Sequence, residues 1–140
     1  MTLQLSDASK DLLRQPVFAQ IATIAGDGSP QLSPVWIDVD GDTIVFNTAK
    51  GRAKVTNLER NPAVAISVVD PKDPYNGVLT VRGTVESLSE EGADDHINAM
   101  AKKYLGKDVY PFRQPGEERV IVRIRPDKIV AQPQAAGHGS

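Results

Sequence analysis

The sequence predicts a mainly β protein, a six-stranded antiparallel barrel with a few short helices. Two observations carry this prediction. First, alternating apolar segments follow one another with tight turns between them, and the strongest of these turns is Asp40-Gly41-Asp42. Second, the chain lacks the repeated helical crossovers that parallel strands require. Six antiparallel strands of such lengths close most readily into a small barrel, which leaves no exposed sheet edge.

The first three predicted strands form a meander over residues 17–25, 31–38 and 43–48. The first strand is rich in β-branched and apolar residues, and the Gly-Asp-Gly-Ser-Pro sequence at its end has strong turn chemistry. The period of two then ends at residues 51–60. This segment predicts a short helix, because its apolar residues lie three apart and Asn61-Pro62 follows it.

The second half of the chain predicts strands at residues 63–69, 78–88 and 119–125, with residues 128–131 extending or bending the last strand. Gly83 in the middle of a strand indicates a bulge or a close approach of two backbones. A helix is predicted at about residues 89–105. Its apolar stripe consists of Ile97, Met100, Ala101 and Tyr104.

Length and composition predict one domain over residues 1–131, followed by a flexible tail over residues 132–140. The 140-residue chain has no cysteine and only two histidines, His96 and His138, which excludes disulfide scaffolds, thiolate metal sites and a cysteine nucleophile. We therefore predict no metal. His96 lies beside two aspartates, one position off the apolar stripe, and is predicted to be a solvated surface residue.

The formal charge of −2 gives no reason to expect nucleic acid or an anionic membrane as a partner. The first residues lack the apolar stretch of a signal peptide, and no apolar run is long enough to span a bilayer. These features predict a soluble cytoplasmic protein.

The clearest chemical signal is a basic cluster, Lys50, Arg52 and Lys54, where a predicted strand ends and a predicted helix begins. The first turn of a helix has unpaired N–H groups and a partial positive charge, so it attracts anions. Gly51 lets the backbone approach a bound group, and Thr48 can donate a hydroxyl. The cluster predicts a phosphate site. The alternative is three solvated charges on a surface loop, which is common in proteins.

Two motifs extend this signal. They are Gly28-x-Pro30-Gln31-x-Ser33-Pro34-Val35-Trp36 and Asn47-Thr48-Ala49-x-Gly51-Arg52-x-Lys54-x-x-Asn57-Leu58-x-Arg60-Asn61-Pro62. Together they resemble the pyridoxamine-phosphate-oxidase-like split β-barrel superfamily, whose fold is FMN-binding-like. The resemblance is closest to the actinobacterial branch of oxidoreductases that use the 8-hydroxy-5-deazaflavin coenzyme F-420, and it covers about residues 6–131.

The resemblance implies a cofactor site at the interface of a homodimer. Arg52 and Lys54 would hold the cofactor phosphate, and residues 31–36 would line the ring. Tyr75 and Asn76 would reach the cofactor held by the other chain. The residues assigned to cofactor binding in this way are Gln31, Ser33, Pro34, Val35, Trp36, Thr48, Ala49, Lys50, Gly51, Arg52, Ala53, Lys54, Tyr75 and Asn76.

The function implied by the resemblance is an F-420-dependent reductase that transfers a hydride from the reduced deazaflavin to a small unsaturated substrate. The cofactor would supply the chemistry, so no catalytic residue is named. Three alternatives stay open. They are an FMN-binding oxidase or reductase of the same fold, an F-420 carrier without turnover, and a dimeric barrel without a ligand.

Overall fold

The computed structural model describes residues 3–133 and contains six strands and three helices within that range. The elements are, in chain order, α1 (Asp7–Arg14), β1 (Phe18–Ile24), β2 (Pro30–Asp40), β3 (Thr43–Ala49), α2 (Ala53–Arg60), β4 (Ala63–Val69), β5 (Val78–Ser89), α3 (Ala93–Leu105) and β6 (Arg119–Ala131). None of the three helices is long and apolar enough to cross a membrane.

The six strands form a closed barrel in the order β1-β2-β3-β6-β5-β4, with β1 also paired to β4. Every neighbouring pair is antiparallel. The predicted fold class is therefore confirmed. The β2–β3 hairpin turns at Gly41, whose φ of 62° is a conformation that glycine adopts without a steric cost.

The core fills the barrel through the alternate residues of each strand. Ile37, Phe46, Val81 and Ile124 are fully buried members of one continuous apolar cluster. Removing such a side chain from water contributes about 1.5–3 kcal/mol, so the inward faces of the strands supply most of the stabilisation. The solvent faces of the same strands carry the exposed residues, as the period of two requires.

Gly83 confirms the close backbone approach that its position in a strand predicted. The register of β5 with β6 shifts between Arg82 and Gly83. A Cβ atom at Gly83 would lie 2.6 Å from the carbonyl oxygen of Arg125, so only glycine fits here.

The helices differ from the prediction at their N-terminal ends. Helix α3 begins at Ala93, not near residue 89, because β5 continues to Ser89 before the chain turns. Helix α1 was not predicted, although Ser6 caps its first turn and its buried residues Ser9, Leu12 and Leu13 recur at helical spacing.

The segment after β6 returns to α1. The side-chain oxygen of Gln132 accepts hydrogen bonds from the Ser6 N–H and from the Ser9 hydroxyl. Residues 134–140 of the predicted tail, which include His138, lie outside the described residues.

Two side chains at the end of α3 fasten this helix to the barrel. The Tyr104 hydroxyl accepts a hydrogen bond from the Ile37 N–H at 2.8 Å and donates to the Val17 carbonyl at 2.5 Å. The Lys103 ammonium donates to the carbonyl oxygens of Leu13, at 2.6 Å, and Ile37, at 2.7 Å. Burial lowers the pKa of Lys103 to about 8, although the nearby carboxylate of Asp38 acts in the opposite direction. Burial likewise raises the pKa of Tyr104 to about 12.

The low pKa of Lys103 predicts a specific pH dependence of stability. Between about pH 8 and the ordinary lysine pKa of 10.5, the unfolded chain binds more protons at this residue than the folded chain does. The contribution of Lys103 to the free energy of unfolding must therefore rise with pH in this window. In Lys103→Met this rise is absent. The parent's free energy of unfolding minus that of the variant should therefore increase from about pH 7.5 to about pH 10. Denaturant unfolding at each pH measures it.

Lys102→Met is the matched control, because Lys102 is the preceding residue of the same helix and its side chain is 66% exposed. Its difference from the parent should not grow with pH over this range. For Lys103→Met, a value of the parent's free energy of unfolding minus the variant's that stays constant or decreases with pH would contradict the proposed effect of burial.

Candidate functional site

An open cleft of about 170 Å³ lies at one side of the barrel. It combines residues from four strands, two helices and the loop between α3 and β6. The lining residues are Phe18, Pro34, Val35, Trp36, Asn47, Thr48, Arg52, Lys54, Ile97, Tyr110 and Arg119.

One wall of the cleft is cationic and consists of Arg52, Lys54 and Arg119. Gly51, with a φ of 88°, turns the chain after β3. Arg52 is then the N-cap residue of α2 and makes no side-chain capping bond. Arg119 is distant in sequence from the other two cations. It joins them because the register of β3 with β6 places it opposite Ala49.

The charges on this wall are only partly neutralised. The buried carboxylate of Glu117 lies 3.2 Å from Nη1 of Arg119 and 3.6 Å from Nη2 of Arg52. Within residues 3–133 no carboxylate pairs with Lys54. Burial lowers the pKa of Lys54, and the positive charges of Arg52 and Arg119 lower it further. Three cations facing one acid leave an excess of positive charge, which suits a bound anion.

The wall adjoining these cations is aromatic. The Trp36 ring stacks on Tyr104 with centroids 4.8 Å apart and an interplanar angle of 10°. Tyr110 meets the edge of Trp36 at 5.8 Å, and the guanidinium of Arg119 lies over the Tyr110 ring at 5.1 Å. The rings therefore present flat apolar surface directly beside the cations.

A polar network that the sequence did not indicate extends from the cleft to His96 on α3. The Asn47 amide accepts a hydrogen bond from Nε of Arg119 at 2.9 Å. The side-chain nitrogen of Asn47 donates to the Ala93 carbonyl at 2.9 Å and to Nδ1 of His96 at 3.0 Å. The prediction that His96 is a solvated surface residue is wrong. Its side chain is only 16% exposed, and Nε2 lies 3.5 Å from Oδ2 of Asp38.

The cleft brings together six of the residues that the resemblance assigned to cofactor binding. These six are Pro34, Val35, Trp36, Thr48, Arg52 and Lys54. Ala49 is buried at the end of β3, and Ala53 is the exposed first residue of α2. Both are chain neighbours of lining residues without lining the cleft themselves.

The other predicted residues lie elsewhere. Lys50 and Gly51 line a neighbouring cavity, where the Lys50 ammonium pairs with Glu90 at 2.7 Å. The Gln31 side chain accepts a hydrogen bond from Asn57, and Ser33 is half-buried on β2. Tyr75 and Asn76 lie on the β4–β5 loop, where the Tyr75 side chain is 94% exposed.

Five lining residues were not predicted as site residues, namely Phe18, Asn47, Ile97, Tyr110 and Arg119. Asn47 is the first residue of the second sequence motif, but it was not assigned to cofactor binding. Arg119 and Tyr110 carry no local signal, because only the register of β6 and the course of the α3–β6 loop bring them to the cleft.

Comparison with known proteins gives a consistent result. The family model for pyridoxamine 5'-phosphate oxidase matches residues 5–132. A solved structure of an F-420 reductase is 32% identical, covers 89% of this chain and 98% of its own length, and superposes with a TM-score of 0.77. A comparison with curated proteins found no match.

Two further solved structures support the fold alone, since their identities are below 25%. A conserved hypothetical protein from Mycobacterium tuberculosis is 24% identical over 91% of this chain and 84% of its own, with a TM-score of 0.68. General stress protein 26 from Bacillus anthracis is 19% identical over 88% of this chain and 89% of its own, with a TM-score of 0.62. With the family model matching almost the whole barrel, the chain belongs to the pyridoxamine 5'-phosphate oxidase family.

Proposed function

We propose that this protein is an oxidoreductase of the flavin type that uses F-420 to transfer a hydride to a small unsaturated substrate. The observation that carries the proposal is the cationic wall of Arg52, Lys54 and Arg119 beside the aromatic wall of Trp36 and Tyr110. Membership of the family supports a flavin-type cofactor, and the 32% identity to an F-420 reductase supports the deazaflavin.

The residues present fit such a cofactor. A phosphate requires donors and positive charge, which two guanidinium groups, an ammonium group, the Thr48 hydroxyl and the start of α2 supply. Burial, and then the charges of Arg52 and Arg119, lower the pKa of Lys54. No carboxylate within residues 3–133 pairs with this ammonium group, and a bound phosphate would supply its counter-ion. A planar ring requires flat apolar surface, which Trp36 offers from its stack on Tyr104.

The chain's own contribution is binding, orientation and the exclusion of water. A bound deazaflavin supplies the hydride chemistry. The cations hold the phosphate at one end of the cleft, so the distance to the aromatic wall decides where the ring lies. Tyr104 keeps Trp36 in place through its hydrogen bonds to the barrel backbone, and a fixed ring surface favours one orientation of the ligand. We assign no catalytic residue.

FMN is the alternative cofactor. Its phosphate would meet the same cations, so the cationic wall does not discriminate between the two. The FMN-binding oxidase or reductase therefore stays the second candidate, and the carrier without turnover is the third.

We also propose that the working form is a homodimer with the cofactor site at the interface. The cleft of about 170 Å³ is below the volume of roughly 300–1,000 Å³ that encloses a drug-sized ligand, so a second surface is needed to cover the ring. Phe18 at its rim is 60% exposed, and Leu32 on the adjoining strand is 65% exposed. In this proposal Tyr75 and Asn76 of one chain reach the cofactor held by the other.

The first test is a titration of the purified protein with F-420 and, separately, with FMN, followed by fluorescence. We expect tighter binding of F-420. Tighter binding of FMN would support the second candidate instead. Reoxidation of bound reduced F-420 by unsaturated acceptors distinguishes an enzyme from a carrier, since a carrier would not return the hydride to any of them.

The second test concerns the cations. Arg52→Ala and Lys54→Ala should each weaken F-420 binding about tenfold to hundredfold, because each removes a charge-assisted contact worth roughly 1.5–3 kcal/mol. Arg52→Lys should also bind more weakly, since an ammonium group cannot replace a planar fork. Dissociation constants and melting temperatures measured together separate binding from folding.

Lys50→Ala is the matched comparison for these variants, because Lys50 is equally close in sequence but pairs with Glu90 and Glu118. Its loss of affinity should be clearly smaller. Unchanged F-420 affinity in both Arg52→Ala and Lys54→Ala would show that the cluster is only a solvated surface.

The third test is the oligomeric state. Sedimentation at micromolar concentration should give a dimer. Tyr75→Ala should weaken F-420 binding without lowering the melting temperature of the protein. Lys72→Ala, a change at another exposed residue of the β4–β5 loop, is the control, because only the backbone N–H of Lys72 makes a hydrogen bond there. A monomer that still binds F-420 tightly would refute the shared site.

A further inference from the structure

A chain of polar contacts leads from the α3–β2 contact to the cationic wall of the cleft. Nε of Arg119 donates to Oδ1 of Asn47 at 2.9 Å, and Nδ2 of Asn47 lies 3.0 Å from Nδ1 of His96. On its other side, Nε2 of His96 is buried and lies 3.5 Å from Oδ2 of Asp38, outside hydrogen-bond geometry. The four residues belong to β2, β3, α3 and β6.

The chemistry of the groups fixes the direction of each bond. The Ala93 carbonyl can only accept, so the Asn47 nitrogen must face it, and the Asn47 oxygen must face Arg119. An amide nitrogen can only donate, so Nδ1 of His96 must be the unprotonated, accepting nitrogen. The three contacts of Asn47 are therefore satisfied in one state only, with His96 neutral and its proton on Nε2, which itself has no hydrogen-bond partner within residues 3–133.

Charged groups surround this imidazole on several elements. Asp38 faces it from β2, Arg119 lies beyond Asn47 on β6, and Lys103 follows two turns later on α3. Burial raises the pKa of Asp38, but the adjacent His96 side chain, the hydrogen bond from the Val39 N–H and the charge of Lys103 together lower it below its ordinary value. Asp38 is therefore an anion beside Nε2, ready to stabilise a second proton on the ring.

We propose that His96 is a positioning residue that holds Arg119 through Asn47 and makes anion binding in the cleft sensitive to acid. The inference rests on the proposed function in so far as the anion is the cofactor's phosphate. Neutral His96 accepts from Asn47, whose oxygen then fixes the plane of the Arg119 guanidinium. This arrangement prepares Arg119 for a phosphate without an ordering cost at the time of binding.

Protonation of His96 breaks the arrangement. A second proton on the ring places an N–H on Nδ1, which then points at the amide N–H₂ of Asn47, so two donors face each other. Rotating the Asn47 amide repairs that contact, but it turns the amide nitrogen toward Nε–H of Arg119 and its oxygen toward the Ala93 carbonyl. No orientation of Asn47 satisfies all three neighbours, so Arg119 loses its contact at Nε and is held, among the described residues, only by Glu117 at Nη1 and by the Tyr110 ring. Histidine is the side chain that gains a proton on mild acidification.

The first part of the test needs no cofactor. Proton–nitrogen correlation spectra of the protein alone report which ring nitrogen of His96 carries the proton and whether the Arg119 Nε–H signal changes with pH. We expect the proton on Nε2 near pH 8, and an Arg119 signal that moves in step with ring protonation as the pH falls to about 5. In Asn47→Ala the two signals should no longer move together.

The second part measures binding of sulfate, a simple anion whose charge stays constant over this range. His96→Asn keeps an accepting oxygen near the position of Nδ1 but cannot be protonated. The parent should lose about tenfold in sulfate affinity relative to His96→Asn between about pH 8 and about pH 5. Acidification otherwise strengthens anion binding, because carboxylates lose their charge, so a loss has the opposite sign from the background.

Each result has a definite meaning. A proton on Nδ1 near pH 8, an Arg119 signal that ignores the titration of His96, or equal pH dependence of the parent and His96→Asn would overturn the inference. Failure of F-420 to bind while the sulfate and spectral results hold would remove only the proposed cofactor. If His96→Asn does not fold, the spectra of the parent and of Asn47→Ala still decide the question.

Discussion

The pairing of β6 with both β3 and β5 is the constraint on which the barrel and the cleft both depend. Strand β6 is the last element of the described residues, yet it lies between strands from the first and second halves of the chain. Without it the sheet would expose two unpaired edges and part of the apolar cluster around Ile124. Its first residue, Arg119, lies opposite Ala49 and so completes the cationic wall. Closure of the barrel and assembly of the site thus depend on the same strand.

The cleft contains buried and half-buried positive charges, whose removal from water opposes folding. Arg119 is nearly fully buried, and Glu117, Asn47 and the Tyr110 ring provide its partners. Such satisfaction is required for a buried charge. Lys54 is half-buried without a carboxylate partner among residues 3–133, and its pKa is lowered accordingly. An unneutralised cation in a concave site is typical of a site for an anion.

Helix α3 connects stability with the site. Its last turn fastens it to the barrel backbone through Lys103 and Tyr104, and Tyr104 also supports the ring of Trp36 in the cleft. Its first turns carry Ile97, which lines the cleft, and His96, which reaches Asn47 behind it. A shift of this helix would therefore alter both walls of the cleft.

The sequence by itself determined the strand order of the first meander, the close approach at Gly83 and the basic cluster around Arg52, because each depends on residues adjacent in the chain. Helix α1 was missed because its buried face includes the polar residue Ser9, whose partner Gln132 is 123 positions away. The sequence also placed His96 on the surface, since the residue stands one position off the apolar stripe of α3 and its partner Asn47 is 49 positions away. Only the tertiary structure brought Arg119 into the cleft, because the register of two strands distant in sequence decides which side chains become neighbours.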